Sequence, residues 1–345
     1  MAYTTVNKSS LHQNTVLYTG NNTGQSITGV GFQPDLVWNK SRGNTESHNV
    51  WDAVRGTTKG LVTNAGDAES TWATGLTSFD SDGFTVGSLD SLNDNSLNFA
   101  AWCWKANGAG SANTDGSINS TATSANTTAG FSIVKYTGTG SNATVGHGLG
   151  VAPKMILIKG VAATWWFVYH AGIPTPTTAK LNLNTNGHNN DAQASYWNST
   201  APTSSVFSLG TEGSVNSSGA DYIAYCFADV DGYSRMGSYK GNSSSTDGVF
   251  CYTGFKPKFL ILKRANGDDW WGLYDSVRSP YNVTKERIYP NTNDAGADVT
   301  NVDFLSNGFK LRTTDGAINA TGGTYIFMAF GQSLVGSNNV PCTAF

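Results

Sequence analysis

The chain has 345 residues, a formal net charge of -3 and only 13% charged residues, against roughly 25% in an ordinary soluble domain. That balance gives no whole-chain field to recruit nucleic acid or an anionic membrane, which argues against a basic-groove binder. Glutamate occurs only at Glu46, Glu69, Glu212 and Glu286 while glycine occurs 40 times, so propensity argues against a helical bundle, and 39% apolar residues argue against disorder.

In chain order, Tyr3-Thr4-Thr5-Val6 reads as a first edge strand, with neither the basic nor the apolar stretch of a signal peptide. Tyr18-Thr19-Gly20 then precedes Phe32-Gln33-Pro34-Asp35-Leu36-Val37-Trp38-Asn39-Lys40, a proline followed by a run of strand-type residues and a lysine six positions on. Val50-Trp51-Asp52-Ala53-Val54-Arg55 is an aromatic strand, and Phe79-Asp80-Ser81-Asp82-Gly83-Phe84 is a hairpin signal. Phe99-Ala100-Ala101-Trp102-Cys103-Trp104 follows, and its period of two sets both indoles on one face as core positions.

Residues 106–116, rich in Gly, Ala, Asn and Ser, read as a flexible linker, after which Ser117–Thr123 matches the opening edge strand. The same anchors then recur. Tyr136-Thr137-Gly138 and Tyr239-Lys240-Gly241 precede proline strands ending at Lys159 and Lys263, again six residues after Pro153 and Pro257. Trp165-Trp166-Phe167-Val168-Tyr169-His170 and Trp270-Trp271-Gly272-Leu273-Tyr274-Asp275 repeat the aromatic strand, with His170 standing where Asp52 and Asp275 stand. The hairpin returns at Phe304–Phe309 and is degraded at Val206–Gly210, and the closing strands are Tyr222–Phe227 and Tyr325–Phe330. Five anchors in one order, three times, predict an internal triplication.

The fold class expected is therefore all-β: three tandem antiparallel β-sandwich domains, jelly-roll-like, with strand order left open. The repeats are assigned to residues 1–105, 117–235 and 236–345, and the short joint between the last two is expected to hold them packed together. No apolar stretch approaches the roughly 18 residues of a membrane span, so no membrane insertion is expected.

Chemistry-bearing motifs are sparse. Cys103, Cys226, Cys251 and Cys342 form no disulfide framework and no zinc pair, and the first three read as core residues. Asp80-Ser81-Asp82-Gly83 resembles a fragment of a calcium loop but lacks its further carboxylates, so a hairpin turn is the preferred reading. Gly146-His147-Gly148-Leu149-Gly150 lacks the spacing of a phosphate loop and reads as a turn. The pairs Asp52 with Arg55 and Asp275 with Arg278 read as strand-end ion pairs or turn bonds. No catalytic residue, cofactor or metal is assigned. In the doublets Trp165-Trp166 and Trp270-Trp271, neighbours on an extended backbone project to opposite faces, so at least one indole of each pair leaves its core and all four are candidates for contact with a ligand or an interface.

Three stretches carry a resemblance: Gly29–Trp38, Gly146–Lys154 and Tyr252–Pro257, together with the hairpin Asp303–Phe309. With them the chain resembles a family of virion structural, tail-fibre-like proteins of marine tailed bacteriophages, over nearly its whole length. The resemblance implies a non-enzymatic component of a virion assembled in the bacterial host cytoplasm. Its partners would be other virion proteins, further copies of itself and a host surface glycan, with no nucleic acid among them. The tail-fibre or receptor-binding version leads; a capsid decoration protein, and a carbohydrate-binding module or glycan hydrolase, stay open beside it. The middle repeat departs from the pattern, with Val151-Ala152 before its proline and the hairpin lost.

Overall fold

The computed structural model describes residues 4–189 and 192–335, and in it the chain is nearly all β. Four strands form the frame of each of the three segments. An opening strand (Gln13–Thr19, Phe131–Thr137, Ser234–Lys240) pairs with a closing strand (Asn98–Trp104, Asp221–Phe227, Thr324–Gln332). The closing strand pairs on its other edge with the proline strand (Leu36–Ser41, Met155–Gly160, Lys256–Arg264), which pairs with the aromatic strand (Asn49–Asp52, Trp166–His170, Gly272–Asp275). All these pairings are antiparallel, and the order opening–closing–proline–aromatic is the same in each segment.

Both faces of these frames are buried, as the uninterrupted apolar runs require. One parity of the proline strand (Leu36 and Trp38, Met155 and Leu157, Phe259 and Ile261) enters a single core that draws residues from all three segments. Trp104, Phe227 and Phe330, each at the same place on its closing strand, meet there edge to face, with ring centroids 6.4, 6.1 and 5.9 Å apart. The other parity packs outward on smaller sheets in separate cores: Val37 under the sheet of Gln25–Thr28, Gly83–Val86 and Leu76–Asp80, Ile156 and Ile158 under Ala143–Gly146 with Val206–Leu209, and Leu260 and Leu262 under Phe250–Tyr252 and the strands paired with it. Three aromatic pairs stack across the opening and closing strands: Tyr18 on Phe99, Tyr136 on Tyr222 and Tyr239 on Tyr325, at 5.2, 5.3 and 5.0 Å.

A one-turn helix precedes each closing strand: Asp90–Asn93, Gly213–Asn216 and Gly316–Asn319. Each ends in a fully buried asparagine whose amide ties two loops together; Asn216, for example, donates to the carbonyls of Gly210 and Ser141 and accepts from the Thr139 N–H. The hydroxyls of Tyr18, Tyr136 and Tyr239 donate to carbonyls of the same turns, at 2.8, 2.7 and 2.8 Å.

Residues 106–116, expected on composition to be a flexible linker, are tied down. Ser111–Asn113 is a strand paired with Ser120–Asn126, the Ala106 N–H donates to Asp35 and the Asn107 N–H to Ser124. Composition reports the absence of bulky side chains, whereas an edge strand is held by backbone hydrogen bonds that need none. At the start of the chain, Tyr3 of the expected edge strand lies outside the described residues, and Thr4–Val6 is not strand, although Val6 enters the shared core. The Asp80–Gly83 motif is a tight hairpin, in which Asp82 accepts from the backbone N–H groups of Gly29 and Gly31.

Candidate functional site

The candidate site is built where the three segments meet, because the polar and aromatic side chains singled out in the sequence gather there. The Trp166 indole of the second segment donates to the Val62 carbonyl of the first at 2.8 Å. At the corresponding place, Trp271 of the third segment donates to the Asn182 carbonyl of the second at 2.9 Å. His48 holds the matching position in the first segment. Its Nδ1 accepts from Trp38 at 3.1 Å, and although its Nε2 makes no hydrogen bond of ordinary geometry, the backbone of Tyr289 in the third segment favours its charged form. Burial outweighs this and holds the imidazole well below its usual range.

A second set of contacts runs in the same sense. Asp52 and Arg55 are buried and paired at 2.5 Å, and Tyr225 of the second segment donates to the same Asp52 oxygen at 2.6 Å. Asp275 and Arg278 form the like pair in the third segment, and Trp102 of the first donates to Asp275 at 2.9 Å. In the second segment the carboxylate is replaced by His170, and the third segment has Met328, which has no proton to donate, at the strand position that Tyr225 and Trp102 hold in the other two. His170 is the donor instead. Its Nδ1 accepts from the Gly172 N–H, so Nε2 carries the proton and gives it to the Phe327 carbonyl at 3.0 Å. Burial pushes this imidazole down to about 4.

A third set is made by backbone alone. The N–H groups of Glu69, Asn189 and Gly296 donate to the carbonyls of Val161, Ala265 and Arg42, at 2.8, 2.8 and 2.9 Å, each from one segment to another. In all three sets, the second segment contacts the first, the third contacts the second and the first contacts the third, so the contacts close on themselves.

The lysines that end the proline strands lie beside this ring. Lys40, Lys159 and Lys263 are fully buried, and each ammonium donates to carbonyls of the loop that follows it, Lys40 to Ser41 and Asn44 both at 2.7 Å. Lys159 reaches Gly160 and Ala162, and Lys263 reaches Arg264, Asn186 and Gly267. Burial pushes all three down to about 8.

The four tryptophans picked from the sequence divide two and two. Trp166 and Trp271 are 1% exposed and hold the seams; Trp165 is 48% and Trp270 43% exposed. Trp165 lies against Gly66 of the first segment, where an added Cβ would come within 2.9 Å of the ring, and the Lys180 ammonium stands 5.3 Å from its centroid. Trp270 leans on Tyr289 at 6.2 Å, and the Arg287 guanidinium covers the Tyr289 ring at 4.4 Å. Among the described residues no group of three His, Cys, Asp or Glu side chains is placed to hold a metal ion, and no helix is long and apolar enough to cross a membrane.

Sequence reasoning missed the roles of the repeated lysines and of Asn93, Asn216 and Asn319. The asparagines had a readable signal, since each follows an apolar residue shortly before a closing strand: Leu92-Asn93, Val215-Asn216 and Ile318-Asn319. It also missed the salt bridge of Arg42 with Glu286, which joins residues far apart in the chain.

The fold and these seams define an all-β chain whose three segments share one core. Residues 8–333 match the family model described as Domain of unknown function (DUF7483), and the chain belongs to that family. No curated protein and no solved structure matches it.

Proposed function

We propose that this chain is a non-enzymatic structural protein of a bacteriophage virion, made of three tandem β-sandwich repeats and exposed on the particle as a tail-fibre or receptor-binding component. The observation that carries the reading is the use of the ionisable groups. Asp52, Asp275, Arg55, Arg278, His48, His170 and the three buried lysines are all enclosed at or beside the seams, where they bond to strand ends and loop carbonyls. Groups buried in this way rigidify a body and are closed to a substrate. The common strand order of the three segments supports their origin by triplication. The resemblance at Gly29–Trp38, Gly146–Lys154 and Tyr252–Pro257 supports a place among virion proteins. Copies of the chain would then assemble with other virion proteins through surfaces outside the ring, following particle symmetry.

A carbohydrate-binding role within this reading is favoured by Trp165 and Trp270, whose exposed indoles suit stacking on a host surface glycan. Mass spectrometry and immunogold labelling of purified particles of a phage encoding the chain would test the assignment. The expected result is the chain in mature particles with label on the tail; its absence from particles would overturn the proposal, and label on the head would move it to the capsid-decoration reading. Replacing Trp165 and Trp270 by alanine is expected to lower adsorption at least tenfold with assembly intact, and unchanged adsorption would remove the receptor-binding role from them.

A further inference from the structure

The seam between the first and third segments carries a feature absent from the sequence reading. A cleft of about 350 Å³ opens there, lined by Arg42, Gly43, Ser96, Asn98, Glu286 and Asp298 among others. Its floor is rigid. Arg42 and Glu286 form a two-pronged bridge, Nε to Oε1 at 2.9 Å and Nη2 to Oε2 at 2.6 Å, and the Arg42 backbone donates to Asn98 and accepts from Gly296. Asp298 is exposed, lies directly across the strand pair from Glu286 and, among the described residues, enters no hydrogen bond or ion pair.

We propose that this cleft binds a neutral, polyhydroxylated ligand the size of a single sugar ring. The volume is at the small end of ligand sites, which span about 300–1,000 Å³. The lining is mostly polar, so it matches hydroxyl groups better than an apolar body. Charge excludes the other small classes. Two guanidinium groups, Arg42 and Arg278, already surround Glu286, which opposes a metal cation; Glu286 and Asp298 together oppose an anion. What remains is a ligand whose hydroxyls accept from Arg42 and Asn98 and donate to Asp298 and Ser96. The cleft does not involve Trp165 or Trp270, and the proposal stands apart from the virion assignment.

The test is saturation-transfer NMR and titration calorimetry on the full chain with D-glucose, D-galactose, D-mannose and N-acetyl-D-glucosamine, with sulfate and calcium as ionic probes. Two variants accompany it. Gly43→Phe puts a ring into open space, since nothing lies within 4 Å of a Cβ there, and Asp298→Ala removes the unpaired carboxylate. At least one sugar is expected to bind, at least tenfold more weakly to either variant at unchanged melting temperature, while Trp165→Ala with Trp270→Ala retains it. No sugar binding, binding indifferent to both variants, binding lost only with the tryptophans, or calcium or sulfate as the sole ligand would each overturn the proposal.

Discussion

At the residue scale, the two tryptophans of each doublet have opposite duties although they are chemically identical. Trp166 and Trp271 each fill the shared core and satisfy a carbonyl in the next segment. Alanine at either is expected to cost about 3–5 kcal/mol, whereas alanine at Trp165 or Trp270 should cost less than about 1 kcal/mol. Urea midpoints of the four single variants would check this, and equal losses within a doublet would contradict it. His170 gives a pH signature. Its folded-state value lies near 4 and its ordinary value is 6.5, so as pH falls through that window the unfolded chain takes up a proton that the folded chain refuses. Stability contributed by the neutral ring is whole above pH 6.5, declines by on the order of 3 kcal/mol down to pH 4, and changes no further below it. Replacing His170 by Gln should flatten the urea midpoint over that range relative to the unaltered chain, and parallel curves would refute the assignment.

At the scale of elements, the frame strands were legible because aromatic and β-branched runs between Gly, Asn, Asp and Ser admit little else. Their order was not. The closing strand inserts between the opening and proline strands through pairings such as Tyr136 with Tyr222, and no local pattern encodes a contact over that separation. The candidate site was legible in part for the same reason. That the two indoles of each doublet point to opposite faces follows from backbone geometry alone, but which of them is covered depends on the neighbouring segment. His170 in the slot of Asp52 and Asp275 was visible as an exception, without its cause. Two further positions differ along with it: Ile173 stands where Arg55 and Arg278 stand, and Met328 where Tyr225 and Trp102 stand. An aspartate at 170 would be a buried charge with no arginine beside it and no side-chain donor at 328, since methionine has none. His170→Asp alone is therefore expected to destabilise by about 3–5 kcal/mol, and adding Ile173→Arg with Met328→Tyr should recover at least half of that. Urea denaturation of the single, double and triple variants would measure the coupling; strict additivity would show the positions to be independent.

At the scale of the whole molecule, the shared core decides how the chain unfolds. Beads on a string would melt one after another, but here Phe259, Ile261, Met328 and Phe330 of the last segment are covered by residues of the other two. A single calorimetric transition is expected, and three resolved transitions would show the segments to be independent. Residues 236–335 produced alone should expose that face and sediment as oligomers or aggregates. A stable monomer in analytical ultracentrifugation would argue against the shared core as the main source of cohesion.

The closed ring of contacts has one more consequence. In a ring of three separate identical chains, any substitution appears at every interface at once. Here one chain supplies all three, so each joint carries its own chemistry: His48 stands at one where the others place tryptophan, His170 at one where the others place aspartate, and the joint of the first and third segments bears Arg42 with Glu286 while that of the second and third bears His188 with Asp268. The body is nearly threefold in its framework and singular in its chemistry. A partner that reads the framework meets three similar approaches, whereas one that reads the side chains meets a single address and a fixed orientation.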